Sequence, residues 1–457
     1  LENNQLDLLY VAPERLVMEE FLEILDQVNI ALFAIDEAHC VSQWGHDFRP
    51  DYTALSLLAN RFKEIPRIAL TATADQATRK DIVDRLKLAE GKTFIGGFDR
   101  PNIHYSILER NNPKKQVYDF IRNHHSGDSG IIYCISRKKV EDMAEWLQEK
   151  NINALPYHAG LTPKVRSRNQ DRFLREDNII IVATIAFGMG IDKPDVRYVA
   201  HMNIPKSIEA YYQETGRAGR DGLPSNAYMI YGMDDAAMQR NWIENSEAPD
   251  IQKRIEHQKL NALLGLCEAA ICRRQILLEY FDDSCEPCGN CDTCDIKPET
   301  FDGTIAAQMA LSAVFRTGQR FGMVYVVDVL MGKEDERIQR FGHDKQSTFG
   351  IGDKLSKNEW QNIFRQLVSQ NLLMVDVNEH NGIKITEKGF LFLKKKESVN
   401  FRKLTEKQKA RKEKPSRKAK IELENDLDQT LYENLKTARQ QMAKKRRVPA
   451  YVIFHDK

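Results

Sequence analysis

Ile30-Ala31-Leu32-Phe33-Ala34-Ile35-Asp36-Glu37-Ala38-His39 is an apolar run that ends on two adjacent carboxylates and, two residues on, an imidazole. A buried strand of a parallel α/β sheet ends this way when its carboxyl edge presents acids to a nucleotide. The first acid suits the water shell of a magnesium ion, and the second suits taking a proton from water that attacks a γ-phosphate. The next residues are Cys40-Val41-Ser42-Gln43-Trp44-Gly45-His46-Asp47-Phe48-Arg49-Pro50. Two aromatic rings, an imidazole and a guanidinium in one loop suit stacking on unpaired bases and clasping phosphate. A salt-bridged strand end followed by an ordinary loop would use the same letters, so the rest of the chain has to decide.

Thr71-Ala72-Thr73-Ala74 follows the apolar Ile68-Ala69-Leu70, which predicts a second strand ending in hydroxyls beside the first strand's acids. Val182-Ala183-Thr184 leads into Gly188-Met189-Gly190-Ile191-Asp192. Tyr212-Gln213-Glu214-Thr215-Gly216-Arg217-Ala218-Gly219-Arg220-Asp221-Gly222 then offers a glutamine and two arginines on a glycine-punctuated turn. Two arginines three apart at a helix start share a face and reach one polyphosphate, one binding it and one neutralising transition-state charge.

In this order the motifs resemble those of superfamily 2 helicases, and the aromatic loop after the acids resembles the RecQ family of DNA helicases. Leu8-Leu9-Tyr10-Val11-Ala12-Pro13-Glu14-Arg15-Leu16 is similar to that family's strand and DNA-contacting turn. A motor of this class needs a glycine-rich loop with a lysine around the β- and γ-phosphates. No G-x-x-x-x-G-K-[ST] occurs in the chain, and Gly91-Lys92-Thr93 lacks the first glycine, its place being held by Leu86. With Leu1 in place of a methionine, the expectation is a piece whose parent begins with further strands, and which by itself hydrolyses no ATP at a useful rate.

At 457 residues the chain has room for about three domains. Net charge is +1, but residues 393–420 hold 13 Lys or Arg against three Glu, a net +10 that leaves about −9 elsewhere. No apolar run approaches the ~20 residues of a membrane helix, and no signal peptide is visible. Six of the eight cysteines fall between Cys267 and Cys294, which argues for metal rather than disulfides.

Residues 1–95 alternate strand and helix as the rear part of a first lobe, and Asp99-Arg100-Pro101-Asn102 reads as a connector. Residues 96–245 form a second lobe: Gly130-Ile131-Ile132-Tyr133-Cys134 is a strand, and Arg137 to Lys150 a helix with Val140, Met143, Ala144 and Leu147 inward. His158 reads as a packing residue. In residues 246–298, Cys288, Cys291 and Cys294 make C-x-x-C-x-x-C, and a fourth thiolate from a nearby helix would close a tetrahedral zinc site. Cys285 keeps the same spacing. On one helix Cys267 and Cys272 would lie about 140° apart, so both could not face one ion.

Residues 299–398 read as a winged helix: helices Ile305–Thr317, Val324–Met331 and Ser356–Gln370, then strands Leu372–Val375 and Gly382–Thr386 around Asn378-Glu379-His380-Asn381. Trp360, Ile363, Leu367 and Val368 face inward, and Lys345, Lys354, Lys357 and Arg365 are candidate phosphate contacts. Residues 399–422 are a basic linker. In residues 423–457, Leu427, Leu431, Leu435 and Met442 line one helix, which resembles the opening of an HRDC domain.

The resemblance implies RecA-like α/β lobes, the first incomplete, then a helical zinc module, a winged helix and a partial HRDC segment. It implies ATP, Mg2+ and Zn2+ as cofactors, single-stranded DNA and duplex junctions as substrate, repair or single-strand-binding proteins as partners, and a cytoplasmic, nucleoid-associated setting. Asp36 would act on magnesium and Glu37 on water; His39, Thr71 and Thr73 would couple nucleotide state to DNA grip. Gln213, Arg217 and Arg220 would complete the site, with Arg220 the finger, and Gly190 and Asp192 would close around the nucleotide. Trp44, His46, Phe48, Arg49, Ser136, Arg137 and Thr184 would touch DNA. Cys272, which opens Cys272-Arg273-Arg274, would join Cys288, Cys291 and Cys294 on zinc. Two other possibilities stay open: an RNA helicase of the neighbouring branch, and a non-catalytic, zinc-stabilised DNA-binding protein.

Overall fold

Six parallel strands, ordered β3-β8-β7-β4-β6-β5, organise the centre of the chain. They are β3 (Ile103–Glu109), β4 (Gly130–Tyr133), β5 (Ala154–Tyr157), β6 (Ile180–Ala183), β7 (Tyr198–His201) and β8 (Ser225–Tyr231). The computed structural model describes all residues except 1–5, 43, 46–47, 189–190, 377–381, 396, 404–425, 447, 449 and 455–457. Every residue of β4, β6 and β7 is buried, as central strands covered on both faces require. The pleat sends Ile132 and Cys134 to one face, with helices Pro113–His124 and Arg137–Glu149, and Ile131 and Tyr133 to the other, with helix Pro163–Arg175. Side-chain caps start these helices: Asn112 accepts from Lys115 N, Ser136 from Lys139 N and Thr162 from Val165 N.

Before this sheet, β1 (Phe33–Ile35) and β2 (Arg67–Ala69) pair in parallel, with Phe33 opposite Arg67. Leu22, Leu25, Ile35, Ala38, Val41, Leu58 and Ile82 make the core on one side. The expected buried strand is covered on that side alone, since Leu32, Ile68 and Leu70 on the apolar runs are exposed. The strand expected at residues 8–11 is not formed: that stretch is unpaired and leads into helix Pro13–Leu16.

After the second lobe come helices Asp250–Glu268 and Arg273–Tyr280, and then the cysteine loop. The winged helix follows as helices Thr304–Arg316, Met323–Leu330 and Lys357–Ser369, with β10 (Leu373–Asp376) antiparallel to β11 (Gly382–Ile385). Two further strands, β9 (Thr300–Asp302) and β12 (Asn400–Arg402), clasp its ends. Trp360 is fully buried, and its indole N–H donates to Gly352 O at 2.8 Å. The hairpin tip with His380 and most of the basic linker lie outside the described residues.

Arg365 is not a surface phosphate contact. It is buried between units, its guanidinium on Glu109 of β3 (2.9 Å for Nη2–Oε2) and 3.4 Å from Glu268. Helix Asp426–Arg446 turns buried Ala443 and Arg439 inward and has Gln440 donating to Asp177 at 2.7 Å, while Leu431, Leu435 and Met442 stay exposed. Among the described residues no helix is long and apolar enough to cross a membrane.

Candidate motor site and metal centre

β1 delivers Asp36 to its carboxyl end, where the chain turns sharply: Glu37 adopts φ 48°, a left-handed conformation that costs a non-glycine residue free energy. Two contacts hold it, Glu37 N on Asp36 Oδ1 at 2.9 Å and Ala38 N on Leu70 O at 2.8 Å. The turn leaves Asp36 exposed and Glu37 partly so, as a nucleotide-facing pair must be. His39 is buried behind them, its Nδ1 3.0 Å from Thr71 Oγ1 and 3.4 Å from Glu37 Oε2. Thr71 Oγ1 in turn accepts from Thr73 N at 3.3 Å. The acids and the threonine segment after β2 are thus one hydrogen-bonded group, as the sequence implies.

The aromatic loop folds back on this group. Arg49 N donates to Cys40 O at 2.9 Å, and Gly45 packs so close that a Cβ there would sit 2.2 Å from His39 O. Only glycine fits that approach. Trp44 is 42% exposed, while Phe48 and Arg49 are partly exposed. His46 lies outside the described residues.

The arginines do not open a helix. Helix Ile208–Thr215, capped by Ser207 accepting from Ala210 N, ends before them, and both sit in the turns that follow. Glycines 216, 219 and 222 stop the helix, which the three-residue spacing could not reveal. Arg217 is buried, its Nη1 on Gly188 O, and a Cβ on Gly188 would strike that guanidinium at 2.4 Å. Arg220 stays accessible, with Nη1 on Asp192 Oδ1 at 2.9 Å and on Ile191 O at 3.1 Å. Gly190 lies outside the described residues. Gln213 is partly exposed on the last turn of the helix.

Sequence reasoning missed what holds this turn. Arg100 donates to Gly216 O, Ala218 O and Gly219 O at 3.0, 2.9 and 3.2 Å, and Asn102 donates to Gly219 O at 2.8 Å. The stretch read as a connector is the clamp of the arginine turn. Its partners lie more than 110 residues away, so no local pattern announces it.

Of the remaining candidates, Ser136 Oγ caps its helix, Arg137 is exposed beside it, and Thr184 N reaches Tyr157 O at 3.3 Å at the end of β6. His158 is the packing residue expected: it is buried, 3.1 Å from Glu141 Oε1, and accepts from Gly160 N.

Cys272, Cys288, Cys291 and Cys294 bring their Sγ atoms within 4.8 Å of one another. Cys291–Cys272 is 3.9 Å and Cys288–Cys294 is 4.0 Å; tetrahedral zinc with about 2.3 Å bonds sets thiolates about 3.8 Å apart. Burial opposes ionising Cys272, yet backbone N–H groups, Cys288 N at 3.4 Å first, bring its thiol down to about 7. Burial pushes Cys288 up, and Cys294 up to about 11. Four thiolates this close would repel one another without a cation among them, and the donor set and its spacing fit zinc. Cys267 does not share a helix with Cys272: it closes helix Asp250–Glu268, whereas Cys272 caps the next one. Burial pushes its thiol up, and it packs in the core. Cys285 stands outside the cluster.

Four family models match in chain order. They are a DEAD/DEAH box helicase domain over residues 1–82, a helicase conserved C-terminal domain over 112–222, a RecQ zinc-binding domain over 233–295 and an RQC domain over 297–410. Fold and site define a helicase: RecA-like lobes followed by a cysteine-ligated zinc unit and a winged helix. The chain is 42% identical over 459 residues to the ATP-dependent DNA helicase RecQ of Haemophilus influenzae, covering 100% of this chain and 73% of that protein. It is 37% identical over 459 residues to its Bacillus subtilis namesake, covering 100% of this chain and 75% of that one. The RecQ-like DNA helicase BLM of Xenopus laevis is 38% identical over 400 residues, which is 80% of this chain and 29% of that protein. The chain belongs to the RecQ family of helicases.

Proposed function

We propose that this chain supplies the motor lobes and DNA-gripping loop of an enzyme that couples ATP hydrolysis to 3′→5′ unwinding of DNA in repair and recombination. One observation carries this: Asp36 and Glu37, the Thr71 segment and the Trp44 loop form a single hydrogen-bonded unit around buried His39. Bound Mg2+ would supply charge to the β- and γ-phosphates, with its water shell on exposed Asp36. Glu37 takes the proton of the attacking water, and His39 fixes that carboxylate while reading Thr71. Gln213 and Arg220 approach from the second lobe. Trp44, Phe48 and Arg49 stack on and clasp single-stranded DNA; Ser136, Arg137 and Thr184 track its backbone. Repair or single-strand-binding proteins are the partners this role invites.

The test compares the full-length gene product with residues 1–457 for ATP turnover on DNA and on RNA of equal sequence, and for separation of 3′- and 5′-tailed duplexes. The full-length protein should be stimulated by DNA and open 3′-tailed duplexes, and residues 1–457, which hold no phosphate-binding loop, should turn over no ATP. Equal stimulation by RNA would favour an RNA helicase. DNA binding without turnover by the full-length product would favour a zinc-stabilised binding protein.

A Trp44→Ala change in the full-length protein removes one stacking platform, about 1–3 kcal/mol per base. The expected result is about tenfold fewer base pairs opened per ATP consumed, measured by unwinding and phosphate release in one reaction. An unchanged ratio would count against the loop's role.

A further inference from the structure

Lys259 lies on helix Asp250–Glu268 of the zinc-binding unit, yet its ammonium serves neither the metal nor that unit's own core. It is 8% exposed, and Nζ donates to two acceptors: the backbone carbonyl of Trp44 in the first lobe and the carboxylate of Glu209 in the second. A buried ammonium is tolerated when it is paired and hydrogen-bonded, and here both partners come from other units of the chain. Glu209 is itself buried. Beside it, burial and then the Glu209 carboxylate push the Tyr280 phenol far above its usual range, so that hydroxyl stays a donor.

We propose that Lys259 is a positioning residue that transmits DNA occupancy of the Trp44 loop to the second-lobe helix bearing Gln213. This rests on the helicase function proposed above and deepens it. Glu209 and Gln213 stand four apart on one helix and share a face; Arg217 follows four residues later in the clamped turn. The tether grips the loop by its backbone, so the Trp44 ring stays available for a base. A base that stacks on the ring and shifts the loop must carry Lys259 with it or break a buried charge–dipole contact. Either event alters the field and packing at Glu209, one helical turn from Gln213.

A second tie fixes the first lobe to the zinc unit near the nucleotide-facing segment. Arg79, in the first lobe, donates to Asp282 Oδ2 at 2.8 Å, to Phe281 O at 3.5 Å and to Ala74 O at 2.9 Å, which joins the zinc unit to the end of the Thr71 segment. The zinc unit therefore holds the first lobe at two points, the loop and the threonine segment, and reaches the second lobe through Glu209.

The experiment uses the full-length protein as wild type, Lys259→Met, Lys259→Arg and the double change Lys259→Met with Glu209→Met. Measured for each are kcat with and without an oligo-dT strand, KM for ATP, oligo-dT affinity, zinc content and melting temperature. Lys259→Met should lower DNA-stimulated kcat by about tenfold, within the span of couplings between sites, while moving oligo-dT affinity and KM far less. Lys259→Arg, which keeps a donor for both acceptors, should recover most of it. The double variant replaces the ion pair by apolar side chains, an exchange that keeps a fold intact, so it should melt like wild type yet stay uncoupled. Wild-type stimulation in the folded double variant, or an arginine variant as uncoupled as the methionine one, would overturn the linkage alone. A wild-type enzyme that oligo-dT does not stimulate would overturn the helicase function together with it.

Discussion

Removing the metal, or changing Cys291 to serine, should unfold the segment from about residue 250 to residue 298 and abolish DNA binding. Cys291 is fully buried, with its sulfur 3.9 Å from that of Cys272. Structural zinc contributes about 10–16 kcal/mol of apparent free energy at neutral pH, against roughly 5–15 kcal/mol for the stability of a whole domain. Leu260, Leu263, Leu264 and Leu277 of the two preceding helices pack in the core, but the cysteine loop that ties them together offers little apolar side chain to offset a loss of that size. The damage should spread, because the loop is sewn to the second lobe: Ile107 N donates to Asp292 Oδ2 at 3.0 Å, and buried Arg273 pairs with Asp292 at 2.9 Å. Strand β3 would then lose part of its cover. One zinc per chain in the purified protein, released by a chelator with loss of cooperative melting, is the expected result. A metal-free form that melts as before would rule the site out.

Much of this architecture was readable in the residues. The helix at Arg137–Glu149 falls within one residue of its expected end because Ser136 caps it and Val140, Met143, Ala144 and Leu147 repeat at helical spacing on the buried face. The winged helix was legible for the same reason. The C-x-x-C-x-x-C loop was legible because thiolates three apart in a Pro/Gly loop have little else to do, whereas Cys272 was singled out only by the family resemblance. Cys267 stays outside the cluster as expected, but a bend rather than the turn of one helix separates it from Cys272. Arg365 shows where periodicity stops. A stripe of inward residues assumes one covering partner, but nearly every side chain from Trp360 to Ser369 is buried, because the helix lies between the winged-helix core and the helix Asp250–Glu268. An arginine in that setting pairs with acids far away in sequence, 256 residues in the case of Glu109. Arg100 and Lys259 escaped notice for the same reason: a clamp or tether whose partners are distant leaves no repeat and no spacing.

Changing Arg220 to alanine in the full-length protein should lower ATP turnover by about 10³- to 10⁵-fold, the contribution of an arginine finger, with KM for ATP and DNA affinity moving far less. The choice of Arg220 over Arg217 follows from what each must give up to reach a phosphate. Arg217 is 8% exposed and donates to the Gly188 carbonyl, which also accepts from Ile191 N at 3.0 Å, so leaving would break a buried charge-assisted hydrogen bond, at about 1.5–3 kcal/mol. Arg220 is 37% exposed and is held by Asp192, itself 79% exposed, and by the Ile191 carbonyl at 3.1 Å. An exposed pair of that kind is worth about 0–1 kcal/mol, whereas the transition-state contact returns roughly 4–7 kcal/mol by the same rate ratio. Arg220 is therefore free to move, and Arg217 is built to stay. The Arg100 and Asn102 bonds to the turn keep its backbone still while the side chain swings. Lysine at position 220 should not rescue, since a point charge lacks the planar fork that spans two phosphate oxygens. Single-turnover measurements separate this from a binding defect: the variant should bind ATP and stall before phosphate is released. A loss smaller than about tenfold would assign the finger to another residue and remove the reason for a turn clamped this firmly.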